Sequence, residues 1–232
     1  IGNFDSVHLG HRAVIEETRR IAAREAVPLA VLTFEPHPRS VFAPNGPPFR
    51  LTPFRAKTRL IEEAGVDLLF TLRFDRAFAA RRAEDFVASL LVGALGARHI
   101  VVGQDFTFGR GRGGNPDLLR DLGERFGFGL TVLEPMTDAN GKIASASRIR
   151  DHLAAGRPRA AADLLGRDWE IEGRVRQGDR RGRELGFPTA NLPIADYLHP
   201  APGVYAVRAG VADRDGTLHW HDGVANFGNR PT

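Results

Sequence analysis

The sequence predicts an α/β protein in two parts: a parallel sheet with helices on both faces over residues 1–166, then an antiparallel β-barrel domain over residues 167–232. Three observations carry this expectation. Up to residue 166, short apolar runs bounded by turn residues alternate with segments of helical period. From Trp169 onward that period gives way to short alternating runs. The composition, 42% hydrophobic and 26% charged over 232 residues, is that of a folded globular chain with room for a sizeable core.

Ile1 reads as the last residue of a strand. Val14, Ile15, Thr18, Ile21, Ala22 and Ala26 recur at helical spacing, which predicts a helix over residues 13–26 ended by Pro28. Residues 29–34 form a short apolar run of strand type, and Glu35-Pro36-His37-Pro38 then holds His37 in an extended loop stiffened by two prolines. Residues 53–64 are helical and stopped by Gly65, and residues 67–72 are a strand. Residues 83–95 are a helix with Phe86, Val87, Leu90, Leu91 and Ala94 on its apolar side and Gly96 at its end. Residues 98–102 are a strand. Asn115 caps a helix that starts at Pro116 and buries Leu118, Leu119, Leu122 and Phe126. Residues 130–133 are a further strand, Ser145 opens the helix leading to Leu153, and Leu164-Leu165-Gly166 closes the last helical pattern. Residues 170–175, 204–212 and 218–227 read as strands, the last two joined by the turn Asp213-Arg214-Asp215-Gly216.

Composition excludes several classes of function. Without cysteine the chain forms no disulfide, uses no thiolate and binds no cysteine-ligated zinc. No run has the length of a membrane span and no signal peptide opens the sequence, so a cytoplasmic protein is expected, with no membrane partner. The net charge of +4 comes almost wholly from arginine, the only lysines being Lys57 and Lys142. Arginine forks suit phosphate. The arginines are scattered among acids, so small anionic substrates are expected rather than nucleic acid, and the oligomeric state is left open.

The chemistry concentrates in Ile1-Gly2-Asn3-Phe4-Asp5-Ser6-Val7-His8-Leu9-Gly10-His11-Arg12. Two histidines three apart at a helix mouth share one face, where free backbone N–H groups and the positive end of the helix dipole favour a phosphate. Gly2 to Ser6 allow close backbone approach, and the pair suits nucleotidyl transfer from a nucleoside triphosphate. Alone, an HxxH pair is as well read as a surface pair or half a metal site. The loop of residues 102–114, with its glycines, Phe106, Phe108, Asp105, Arg110 and Arg112, can wrap a flat phosphorylated ligand. Arg150, one turn into the helix that begins near Ser145-Ala146-Ser147, would add a second phosphate-binding terminus. In the second part, Thr189 and Asn191 of Gly186-Phe187-Pro188-Thr189-Ala190-Asn191 place two oxygen ligands on one face, suited to Mg²⁺ bridging phosphates.

Taken in order, these motifs resemble the prokaryotic bifunctional riboflavin kinase and FAD synthetase family, and the likeness runs through residues 2–12, 33–38, 51–57, 101–109, 145–150, 173–192 and 226–232. The resemblance implies a Rossmann-like nucleotidyltransferase domain over residues 1–166 and a partial riboflavin kinase β-barrel over residues 167–232. The first would transfer AMP from ATP to FMN, giving FAD and pyrophosphate, and the second would phosphorylate riboflavin with ATP and Mg²⁺. It implies that His8, His11 and Arg150 are catalytic. Gly2, Asn3, Phe4, Asp5, Gly10, Ser147 and Arg150 would hold ATP, and Pro36, His37, Pro38, Asp105 and Arg112 the flavin. Gly186, Pro188, Thr189 and Asn191 would hold the kinase nucleotide, the last pair of oxygens, Thr189 and Asn191, reaching its metal. The kinase glutamate is expected beyond Thr232, so kinase activity is not expected of these residues alone. Ser6 stands where the family has glycine, so the turn is expected to be strained or to take its positive φ elsewhere. Ala146-Ser147 replaces the family's serine and threonine, with one hydroxyl fewer.

Overall fold

The computed structural model describes residues 1–138, 140–177 and 189–228. Helix α1 (Leu9–Glu25) starts four residues before its apolar period because His8 caps it, the ring Nδ1 accepting the Gly10 N–H at 3.1 Å. Its C-cap, Ala26, is left-handed at φ 51, and Val27 N–H closes on the Ala22 carbonyl at 3.0 Å. Strand β1 (Ala30–Glu35) follows, then the cis peptide Glu35–Pro36 and the short α2 (Pro38–Phe42). Helix α3 (Phe54–Glu63) buries Ala56, Lys57, Leu60 and Ile61, and β2 (Leu68–Arg73) pairs parallel with β1.

Short α4 (Arg76–Ala79) and α5 (Ala83–Asp85) lead into a π-helix, Phe86–Ala94. The expected single α-helix over residues 83–95 is corrected here. Leu95 N–H bonds the Leu90 carbonyl at 2.9 Å, a five-residue step, so the buried side rotates away from Ala94, which is exposed, while Val92 is half-buried. Strand β3 (His99–Gly103), a 3₁₀ turn (Arg110–Arg112), α6 (Pro116–Phe126) and β4 (Gly129–Leu133) come next, with β3 and β4 parallel. Asn115 Oδ1 accepts the Leu118 N–H at 2.9 Å and Pro116 takes the first helical position, where its missing N–H costs nothing. Leu119 and Leu122 are buried as expected, whereas Leu118 and Phe126 are half-buried. Helices α7 (Ala146–Ala154, capped by Ser145) and α8 (Pro158–Leu165, capped by Gly166) enclose an apolar cluster with Leu51.

The parallel pairing expected of the first part is present as two two-stranded pairs, β1 with β2 and β3 with β4. In the second part, β5 (Gly203–Ala212) and β6 (Leu218–Phe227) form an antiparallel hairpin across Asp213–Gly216, with Asp213 Oδ1 accepting the Thr217 N–H at 3.0 Å. The expected strand at residues 170–175 is not one. Glu170 and Glu172 pair instead with Arg59 of α3, and the Glu172 N–H donates to the Tyr197 hydroxyl at 2.9 Å, so this segment spends its polar groups on neighbours other than a ladder. The single bridge nearby joins Arg176 to Asn191, whose carbonyl accepts the Arg176 N–H at 2.8 Å. Among the described residues, no helix is long and apolar enough to cross a membrane.

Candidate functional site

The site is built on the turn that precedes α1. Phe4, Ser6 and Val7 all take positive φ, at 49°, 87° and 43°, so Ser6 carries the left-handed conformation itself where glycine was the expected residue. Asp5 is the hub. Its Oδ1 accepts the N–H groups of Leu51 (3.0 Å) and Thr52 (2.9 Å) and the Thr52 hydroxyl (3.2 Å), and its Oδ2 accepts Arg150 Nη2 at 2.5 Å. Thr52 Oγ1 accepts the Ser6 N–H at 2.8 Å, tying the turn twice to the same segment. The Ser6 hydroxyl is buried with no partner among the described residues.

The turn delivers His8 and His11 as a stacked pair, ring centroids 3.8 Å apart and planes 22° from parallel, with Phe4 tilted against His11 at 5.0 Å. Gly10 leaves the rings room, since a Cβ there would stand 3.0 Å from His8 Cε1 and press on it. Burial lowers the His8 pKa to about 4; Asp105 and Asp5 pull it up, and Arg150 and Arg167 push it down. Burial, with His8 next in weight, holds His11 well below the ordinary range, and its Nδ1 is buried without a partner among the described residues. Both rings are therefore neutral near pH 7. Because His8 Nδ1 accepts the Gly10 N–H, its proton sits on Nε2, which is free to donate toward a phosphate oxygen.

Of the residues singled out in the sequence, the structure gathers His8, His11, Asp5, Arg150 and His37. His37 caps α2 through Nδ1, lies edge-on to Phe49 at 4.9 Å and is lowered to about 4, chiefly by burial, with Asp5, Arg50, Arg150 and Lys57 acting on it. Arg150 braces the turn: its Nε donates to the Phe49 carbonyl at 2.8 Å and its Nη2 to Asp5. Asn3 is exposed; its carbonyl accepts from Thr33 Oγ1 at 3.2 Å. Gly2 donates its N–H to the Leu32 carbonyl at 3.0 Å, alongside β1. Pro36 is exposed and Pro38 begins α2. Asp105 is exposed but close enough to act on His8. Ser147 is exposed in the first turn of α7, where Ser145 and not Ser147 is the cap. Arg112 is exposed at φ 59° in the 3₁₀ turn, with no contact to the histidines. Thr189 is exposed and Asn191 half-buried, while Gly186 and Pro188 lie outside the described residues.

Sequence reading missed a second shell of charges. Lys57, fully buried, reaches Glu35 at 2.8 Å, Thr33 Oγ1 at 3.1 Å and the Asn3 carbonyl at 3.4 Å. Arg50 grips the same carboxylate with both Nη atoms, at 2.7 and 3.1 Å. Burial pushes the Glu35 carboxyl up, but the bonds from Arg50 and Lys57 outweigh it and hold it below the usual range. Lys57 was the one available signal: one of only two lysines in a chain that otherwise draws its positive charge from arginine. Arg167 was missed as well; its Nη2 donates to the Ser6 carbonyl at 2.7 Å.

As for metals, the described residues contain no group of three or more His, Asp or Glu side chains placed to hold an ion. Thr189 and Asn191 are neutral oxygen donors, which fits a Mg²⁺ held mainly by phosphate oxygens and only supplemented by the protein.

The geometry can be set beside known proteins. A family model described as FAD synthetase matches residues 1–147, and one described as riboflavin kinase matches residues 165–232. The bifunctional riboflavin kinase/FMN adenylyltransferase of Escherichia coli (strain K12) is 42% identical over 233 residues, spanning 100% of this chain and 72% of that protein. The proteins of the same name from Haemophilus influenzae and Bacillus subtilis are each 40% identical, spanning 74% and 72% of those proteins. A crystal structure described as a macrolide-efflux protein from Streptococcus pneumoniae superposes with a TM-score of 0.79 at 28% identity, over 99% of this chain and 79% of that one. With family matches over both parts and relatives of this identity along its whole length, the chain belongs to the bifunctional riboflavin kinase/FMN adenylyltransferase family.

Proposed function

We propose that residues 1–166, as a Rossmann-like nucleotidyltransferase domain, transfer the adenylyl group of ATP to FMN, and that residues 167–232 belong to a β-barrel that phosphorylates riboflavin to FMN. The observation that carries the first reaction is the stacked His8/His11 pair at the mouth of α1, neutral and with a proton on His8 Nε2. A phosphate oxygen of FMN attacks the α-phosphorus of ATP, the bond from that phosphorus to the bridging oxygen breaks, and pyrophosphate leaves. No covalent enzyme intermediate is needed, so the protein's part is positioning and charge stabilisation.

His8 and His11 donate to the oxygens on which charge develops, while Arg150 supplies positive charge from the other side of Asp5. Gly2, Asn3, Phe4, Asp5, Gly10 and Ser147 form the ATP surface. Pro36, His37, Pro38, Asp105 and Arg112 form the flavin side, where Phe106 and Phe108, stacked at 5.4 Å, stiffen the neighbouring loop. Mg²⁺ bound with the nucleotide would supply charge neutralisation of its phosphates, and in the kinase part Thr189 and Asn191 would be the residues to hold it. ATP, FMN and riboflavin are the partners of this reading, in the cytoplasm.

The test is incubation of the chain with ATP, Mg²⁺ and FMN, with products separated by chromatography. His11→Ala is expected to lower FAD formation about 10²–10³-fold while the fold is retained. Near-unchanged FAD production by that variant would sink the assigned role. Adenylylation of a different phosphorylated acceptor, with FMN inert, would keep the chemistry and replace the substrate.

A further inference from the structure

The chain leaving α8 returns to the histidine turn. Gly166 caps α8 at φ 71°, and a Cβ there would stand 2.6 Å from Leu9 Cδ2, so the backbone passes hard against the first turn of α1. The next residue, Arg167, puts its guanidinium under the turn: Nη2 donates to the Ser6 carbonyl at 2.7 Å and Nη1 to the Val7 carbonyl at 3.4 Å. These are the two carbonyls immediately before His8, on residues whose positive φ is intrinsically unfavourable. Trp169 fastens the same segment to the other side of the turn, its Nε1 donating to the Leu51 carbonyl at 3.0 Å, while the Leu51 N–H donates to Asp5. Glu170 and Glu172 then pair with Arg59 on α3.

We propose that Arg167 is a positioning residue for adenylyl transfer: from the segment that joins the two parts of the chain, its fork fixes the Ser6 and Val7 carbonyls and so sets where His8 presents its ring. The inference rests on the adenylyl-transfer reading above. Its logic is geometric. A turn with successive left-handed residues has no ladder of its own, and its shape is held by side-chain bonds: its own Asp5 to the segment at Leu51 and, from outside it, Thr52 to the Ser6 N–H and Arg167 to the carbonyls. Of these, only Arg167 addresses the two peptide units that lead into His8. Its charge also acts on that ring, together with Arg150 from α7, Asp5 from the turn itself, Asp105 after β3, and the stacked His11 of α1.

The experiment compares the unsubstituted chain with Arg167→Ala and Arg167→Gln for FAD formation against ATP, FMN and pH, with circular dichroism reporting the folded fraction. For Arg167→Ala, kcat per folded molecule is expected to fall about tenfold or more, since small misplacement of a catalytic group is costly, while KM for FMN stays unchanged. The acid limb of kcat moves to higher pH, because loss of a positive charge beside His8 lets its ring protonate more readily. Added guanidinium ion restores part of the activity to Arg167→Ala and none to the unsubstituted chain. A role in folding alone would scale activity with the folded fraction and leave the limb in place. Should Arg167→Ala not fold, Arg167→Gln, which keeps the stem and loses the charge, decides by the same limb. Unchanged kcat and an unmoved limb in a folded variant overturn the inference. Absence of FAD from the unsubstituted chain would overturn the reaction itself, and this inference with it.

Discussion

Replacing Ser6 by glycine is expected to stabilise the protein, against the usual cost of introducing glycine. Ser6 is fully buried at φ 87°, and its hydroxyl has no partner among the described residues. Relief of a left-handed conformation in a residue with a Cβ contributes about 1–2 kcal/mol. Removing a buried unsatisfied hydroxyl contributes about 1–3 kcal/mol more. Against these stands the extra freedom of glycine in the unfolded chain, which costs about 0.5–1 kcal/mol. The balance favours glycine by about 2 kcal/mol, equivalent to a rise in Tm of about 4–8 °C for a chain of this size. Ser6→Ala separates the two contributions, because it removes the hydroxyl and keeps the strain. Thermal and urea denaturation should therefore order the three proteins as glycine above alanine above serine. A glycine variant no more stable than the unsubstituted chain would refute the strain argument, and an alanine variant less stable than serine would show that the hydroxyl is satisfied in solution.

Other perturbations read different parts of the site. His8 and His37 are each lowered to about 4 and His11 well below 6.5, so between about pH 6.5 and pH 4 the unfolded chain binds protons that the folded chain does not. Stability should be full above pH 6.5 and fall with acidification, at up to about 1.4 kcal/mol per pH unit for each histidine, and a flat urea-denaturation profile through this window would contradict their burial. Arg150→Ala leaves the Asp5 carboxylate buried without its cation and the Phe49 carbonyl without its donor, so a loss of about 3–5 kcal/mol is expected in urea denaturation. Gly109→Ala sets a Cβ 2.7 Å from the Ala83 backbone at φ 72° and should displace the loop that carries Asp105 and Phe106. The expected outcome is a loss of about 2–4 kcal/mol and a raised KM for FMN, and an unchanged KM would detach this loop from the flavin.

What could be read from the sequence were features whose cause is local. Asn115-Pro116 caps its helix with its own side chain and fixed φ, and His8-x-Gly10-His11 brings two rings together because three residues make one helical turn. The run Phe86-Val87-Ala88-Ser89-Leu90-Leu91-Val92 is apolar on too many sides to reveal its period, so the π-helix was hidden. Lys57, Glu35, Arg50 and Thr52 escaped notice for another reason. Each is an ordinary residue in its own stretch, and their meeting around Asn3 and Asp5 depends on where α3 and the segment after Phe49 pack against β1. Arg167 stands 161 residues from Ser6, and nothing beside it in the chain marks the contact.

The distribution of charge around the turn explains how two neutral histidines can serve a polyanion. Arg50 and Lys57 are both committed to one carboxylate, Glu35, and Arg150 to another, Asp5. Three cations against these two carboxylates leave the turn modestly positive, with each carboxylate paired, as a buried one must be to avoid a large cost. Burial chiefly keeps both rings neutral; at His8, Arg150 and Arg167 add to it against Asp105 and Asp5, and at His11 the neighbouring His8 and Lys57 add to it. The rings stay neutral, and a neutral imidazole whose Nδ1 is held by a backbone N–H is a fixed donor at Nε2 rather than a mobile charge. The cations that attract the phosphates therefore act in the same direction as burial, toward the protonation state in which the histidines can point one proton at them.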